Sequence, residues 1–179
     1  MKVIVSHHDQ GILAEMESIS EQDLLCPSFS RLQYSSSESF WKSQVHEIRY
    51  RGTHIARHHI DVLEDISLQT SEAPNVVSLF FVEQGLIQCE SVHEGRWEIG
   101  ARQHNLVYNF YNTSGTVFRK QQDLRLTVVS FDPEYFIQLS AGGGKWIDNM
   151  ASQVAKGKSF SLGRAPNLRL ELSMLQLLN

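Results

Sequence analysis

Along most of the chain, apolar side chains alternate with polar ones or gather in short runs, and Gly, Asn and Asp separate the runs. In residues 45–51 the apolar Val45 and Tyr50 frame Ile48, an imperfect alternation that reads as a half-buried strand. Residues 54–60 and 65–70 continue in the same style. Residues 76–82 (VVSLFFV) are nearly all apolar and β-branched or aromatic, which predicts a central strand covered on both faces. This run ends at Glu83-Gln84-Gly85, where glycine makes positive φ cheap, so residues 86–92 are expected to return as the second arm of a hairpin. Residues 97–99, 105–111, 116–119 and 124–131 (LRLTVVSF) complete a series of short strands with turn residues between them. That spacing predicts a sandwich or barrel of antiparallel strands.

The flanks read differently. Residues 1–40 are weakly patterned: 3–5 suit a short strand, 11–18 a helical turn, and the Ser-rich 28–39 a loop. At Asp132-Pro133 an N-cap residue precedes a proline at the first helical position, predicting a helix over 133–140. A second helix is expected over 145–156, stopping at Gly157, and a third over 166–178. In the third, Leu168, Leu172, Leu175 and Leu178 fall at helical spacing and form one apolar stripe. That stripe suits packing on the sandwich, a dimer interface with a second subunit, or a contact with a downstream domain not included in this chain. The expected division is therefore an N-terminal arm (1–40), a β domain (41–131) and a C-terminal helical extension (132–179).

Composition narrows the function classes. The chain has 179 residues, 41% of them hydrophobic and 20% charged, enough for one domain with its own core. Net charge is −4 and the pI about 6.0. The 16 Lys and Arg are scattered, without the basic face on which a DNA-gripping domain relies. Cys26 and Cys89 form no CxxC pattern and suit reduced thiols. The N-terminus lacks a signal-peptide core, and no apolar run reaches membrane-spanning length, so a cytoplasmic protein without membrane contact is expected.

Candidate chemistry is sparse. Gly142-Gly143-Gly144-Lys145 is followed by Trp146, and Leu139 stands where a phosphate loop needs its first glycine. There is no GxSxG elbow and no HExxH pair. Among the histidines, His54 and His58 share a strand face but stand about 13 Å apart, too far to hold one ion, while His59 points to the other face. His93 and His104 fall in a turn and at a strand start. Asp61, Glu64 and Asp65 read as a solvated acidic cluster. These features predict no catalytic residue, no metal and no cofactor, hence no enzyme. Aromatic residues offer more: Tyr108, Phe110 and Tyr111, with Trp97 and Phe118, suit either core packing or the mouth of a small-molecule pocket.

These residues carry a family likeness. The segments VVSLFFVEQGLIQCE, QHNLVYNFYN and LRLTVVSFDPEYFIQL resemble the N-terminal regulatory domain of AraC-type transcription regulators. Residues 147–179, with a helix, the short GKSFSL strand and a helix opening on Pro, resemble the linker of those regulators. The resemblance covers roughly two-thirds of the chain. It implies an antiparallel cupin-like β-sandwich or barrel of the jelly-roll type, followed by a C-terminal helical extension. It also implies a small-molecule effector, a homodimer, and contact with DNA only through a separate helix-turn-helix domain not included in this chain. On that reading Tyr108, Phe110, Trp97 and His104 line the effector pocket, and Leu168, Leu172, Leu175 and Leu178 form the dimer interface. The alternative is a stand-alone small cupin, either a metal-dependent enzyme or a binding module.

Overall fold

The structure is a computed structural model and describes residues 2–17, 28–71, 75–91, 95–108, 114–162 and 168–178. Two antiparallel sheets and a layer of helices are stacked. Chain order is β1 (Lys2–His7), β2 (Gly11–Glu17), β3 (Ser30–Ser37), β4 (Trp41–Tyr50), β5 (Thr53–Val62), β6 (Ile66–Ser71), β7 (Val77–Gln84), β8 (Leu86–Ser91), β9 (Gly95–Gly100), β10 (Gln103–Tyr108), β11 (Ser114–Phe118) and β12 (Gln121–Phe131). Then come α1 (Pro133–Ser140), α2 (Lys145–Ala155), the two-residue strands β13 (Phe160–Ser161) and β14 (Leu168–Arg169), and α3 (Leu172–Leu178).

One sheet runs β2-β1-β6-β11-β8-β9 and the other β13-β10-β7-β12-β5-β4-β3, with β14 also on β10. Their facing sides close over an apolar core that includes Val5, Val62, Ile66, Val82, Ile87, Ile99 and Leu124. The outer side of the larger sheet buries a second core, in which Val77, Leu106 and Tyr108 pack on Phe136, Met150 and Val154 of α1 and α2. Both faces of β7 and β10 are thus covered, which accounts for the apolar run VVSLFFV.

Local chemistry explains the joints. Asp132 caps α1, its Oδ1 accepting the Tyr135 N–H at 3.0 Å, with Pro133 at the first turn. Arg51 and Gly52, both at positive φ, make the two-residue turn between β4 and β5. Gly85, at φ +90°, does not close a hairpin. It carries the chain from β7 in one sheet to β8 in the other. The side-chain amide of Gln121 pins this crossover, accepting the Leu86 N–H at 2.9 Å and donating to the Leu86 carbonyl at 2.8 Å.

Several expectations are corrected. The turn expected over 11–18 is strand β2, paired to β1, and the Ser-rich stretch is strand β3, paired along its length to β4. The third helix is shorter than the leucine stripe suggested. Leu168 lies in β14 beside His104, only Leu172–Leu178 is helical, and residues 163–167 lie outside those described. Leu168 and Leu172 are exposed and Leu178 partly so, the side chain of Leu175 lies outside those described, and Leu170, which the stripe did not include, is buried.

Candidate functional site

Strand period two decides what faces the sandwich interior. On β4, Val45 points inward and sets the parity, so Glu47 and Arg49 point inward too, and Ile48 and Tyr50 are left exposed. On β5, Ile60 and Val62 point inward together with His54 and His58, and His59 is outside. β3 places Tyr34 opposite Val45 and Leu32 opposite Glu47 on the same face. One end of the interior is therefore polar, although it continues the strands that line the apolar core.

Glu47 is the centre of that end. Its side chain is 4% exposed, and a carboxylate taken out of water needs charged or hydrogen-bonding partners. Tyr34 donates its hydroxyl to Oε1 at 2.7 Å, and Arg49 donates to Oε2 at 2.8 Å. His54 Nε2 lies 3.4 Å from Oε2, within ion-pair reach but without the alignment of a hydrogen bond. His54, with Tyr34 and Arg49 behind it, outweighs desolvation and holds the carboxyl at a pKa of about 2. Burial, then the Glu47 carboxylate, pushes the Tyr34 hydroxyl above its ordinary value. Burial lowers His58 to about 4, against the pull of Glu47, so this ring is neutral at pH 7. Farther along the same inner face, Ser78 and Ser130 share a hydrogen bond of 3.1 Å, and Asn105 donates to Ser161 Oγ at 3.0 Å. Tyr34 is half-exposed above the buried Glu47, so it forms the rim of the cluster.

Chemically the cluster presents a fixed anion, a guanidinium and the neutral imidazole of His58 to the interior. Such a set recognises polar groups by hydrogen bonding. Among the described residues no group of three or more His, Cys, Asp or Glu is arranged to hold a metal ion.

The residues singled out by sequence fall elsewhere. Trp97 faces the interior and meets Phe80 edge-on, ring centroids 6.0 Å apart. Tyr108 and His104 lie on the outer side of the larger sheet, Tyr108 against Phe160 and His104 against Phe81. Trp97 is thus separated from both by the thickness of that sheet. Phe110 lies outside the described residues, as does Tyr111. His104 carries a buried Nδ1 without a partner, and burial, opposed by the nearby Glu171, lowers its pKa. The acidic trio is partnered: Asp61 accepts the Asp123 N–H, Asp65 binds Arg119, and Glu64 accepts from Gln10. Sequence reading passed over Glu47, Arg49 and Tyr34. The signal was present in the parity shared by Val45, Glu47 and Arg49.

No family model and no curated protein matches the chain. Solved structures do. The AraC-like transcriptional activator CuxR matches at TM-score 0.51 with 10% identity, over 75% of this chain and 55% of that one. Fe(II)-HppE with alternative substrate (S)-1-HPP matches at 0.41 with 11% identity, over 56% of each chain. Ectoine synthase from P. lautus matches at 0.37 with 12% identity, over 54% of this chain and 67% of that one. This chain spans about half the length of the CuxR chain. The expectation that the chain is no enzyme is corrected: the solved structures that match it include Fe(II)-HppE, an ectoine synthase and an oxalate decarboxylase. Among the described residues no helix is long and apolar enough to cross a membrane. The chain has a cupin-like fold, an antiparallel jelly-roll sandwich with a helical extension at its C-terminal end.

Proposed function

We propose that this chain is the effector-sensing domain of an AraC-type transcription regulator, with a small polar effector seated against the interior cluster of Glu47, Arg49, His54 and Tyr34. The observation that carries the reading is the buried, ionised Glu47 at the polar end of a cupin-like sandwich. Burying such a group among apolar strands is costly, and a binding site is a use that repays it. The likeness to CuxR, an AraC-like activator, supports the assignment. So do the backbone bonds that tie β10 and the turn before it to the C-terminal segment: Leu162 N–H to Leu106 O at 3.1 Å and Leu170 N–H to Arg102 O at 2.8 Å. An effector that favours one arrangement of this joint shifts how a DNA-reading domain is presented.

On this reading the regulator works in the cytoplasm as a homodimer, and the exposed Leu168 and Leu172 contribute to the subunit contact. DNA is read by a helix-turn-helix domain carried elsewhere in the protein. Sequencing the gene past the codon for Asn179 tests the assignment. A frame continuing for about 100 codons, basic and with two helix-turn-helix patterns, is expected. A stop codon directly after Asn179 refutes it and leaves a small cupin.

A further inference from the structure

A second polar site lies on the opposite side of β4 and β5 from the Glu47 cluster. Near the β3 edge, on the outer face of the larger sheet, is a cavity of about 360 Å³. That volume is within the range of small-molecule sites, roughly 300–1,000 Å³. Two cross-strand rows on this face border it, Ser37, Lys42 and Asp61 in one and Ser35, Gln44 and His59 in the other, and the Ser36–Ser43 pair between the rows completes the lining. Lys42 and Asp61 stand directly opposite each other, a placement at which opposite charges favour each other. They do not pair. Among the described residues Lys42 makes no ion pair, and Asp61 spends Oδ1 on the backbone N–H of Asp123, at 2.9 Å.

The wall beside them is fixed. Asp123 is in the left-handed region, φ +57°, at an irregularity of β12. A non-glycine residue is held there at a cost of about 1–2 kcal/mol. Its carboxylate takes both the Nε and an Nη of Arg125 at 2.8 Å and meets His59 Nε2 at 2.8 Å. His59 and Arg125 are thereby anchored, while the amine of Lys42 and the second oxygen of Asp61 stay open to the cavity.

We propose that this cavity binds a small organic acid with a hydrogen-bond donor next to its carboxylate, that is, a hydroxy acid or an amino acid. The carboxylate meets the Lys42 ammonium, and the hydroxyl or ammonium donor meets Asp61. The Gln44 amide and the hydroxyls of Ser35 and Ser37 supply further donors and acceptors. A simple anion is repelled by Asp61 and a simple cation by Lys42. A ligand carrying both functions satisfies both groups, and each such charge-assisted hydrogen bond is stronger than a neutral one.

The test is an amide NMR titration of the chain with L-lactate and with L-serine, using propionate (no donor) and serinol (no carboxylate) as controls. Lactate or serine is expected to shift amides of β3, β4 and β5, with either control at least about tenfold weaker. The stronger of the two identifies hydroxy acid or amino acid. Lys42→Met and Asp61→Asn are each expected to weaken binding about tenfold. The Asn keeps an oxygen for the Asp123 N–H, and unchanged spectra elsewhere verify the fold. Absence of shifts at millimolar lactate and serine overturns the proposal. So does propionate binding as tightly as lactate, or binding that is unaltered in Lys42→Met.

Discussion

Replacing Glu47 by Gln keeps the shape of the side chain and an acceptor for the Tyr34 hydroxyl, and removes only the charge. A carboxyl moved from 4.5 to about 2 represents about 3 kcal/mol of preference for the ionised form, at 1.36 kcal/mol per tenfold in acidity. The sign follows from proton uptake. Between pH 4.5 and 2 the unfolded chain binds a proton at this position and the native chain does not. The stabilisation is therefore complete above about 4.5 and disappears as pH falls through about 2. Glu47→Gln is accordingly expected to lower unfolding free energy by about 3 kcal/mol at pH 7, or Tm by about 6–12 °C for a chain of this size. The two proteins should converge near pH 2. Urea unfolding followed by tryptophan fluorescence at pH 7 and at pH 3 measures the difference. Asp65 and Asp123 are also held ionised, but they are common to both proteins and cancel. A variant within about 0.5 kcal/mol of wild type at both pH values would refute the account of Glu47 as a charge stabilised by its neighbours.

His58, lowered from 6.5 to about 4 by burial, adds a second window. The unfolded chain takes up a proton here below pH 6.5 while the native ring stays neutral, so stability is lost progressively from 6.5 down to about 4. His58→Gln should remove that part of the pH dependence in unfolding titrations, and an unchanged slope would contradict it. At the sheet crossover, a Cβ on Gly85 would sit 2.5 Å from Gln121 Oε1 and 2.8 Å from Leu124 Cδ1, in a residue at φ +90°. Gly85→Ala should cost about 2–4 kcal/mol, combining backbone strain with loss of the Gln121 hydrogen bonds, as read by denaturant midpoint. A cost below about 1 kcal/mol would show that the crossover tolerates a side chain.

Period-two alternation and turn residues gave the strands from β4 to β12, and Asp132-Pro133 located α1 because capping is a local interaction. What sequence reading missed was set by tertiary pairing. The serines of β3 have little strand propensity of their own, and their backbone is recruited along the length of β4. Leu168 fits a helical stripe by spacing but is taken into a ladder with β10. Gly85 reads as a hairpin turn because positive φ suits one, although here the same angle serves a change of sheet. The interior site was hidden by residue type. On β4 the apolar Ile48 and Tyr50 face solvent while Glu47 and Arg49 face in, the inverse of the pattern that identifies a strand's buried side. The aromatic residues chosen for a pocket sit on strands consecutive in sequence, but β9 and β10 belong to different sheets, and β10 directs Tyr108 to the helices and His104 to Phe81, away from Trp97.

The second core has a practical consequence for where this gene can be cut. Val77, Leu106 and Tyr108 are shielded by α1, α2 and the β13 strand that follows them. A chain shortened at the junction after Phe131 would retain every strand from β1 to β12, yet it would present the outer side of its central strands bare to water. A contiguous apolar patch of that kind drives self-association. The smallest unit that keeps this side covered therefore has its C-terminal limit beyond Leu162, set by the helices that roof the sheet and not by the last strand of the sandwich.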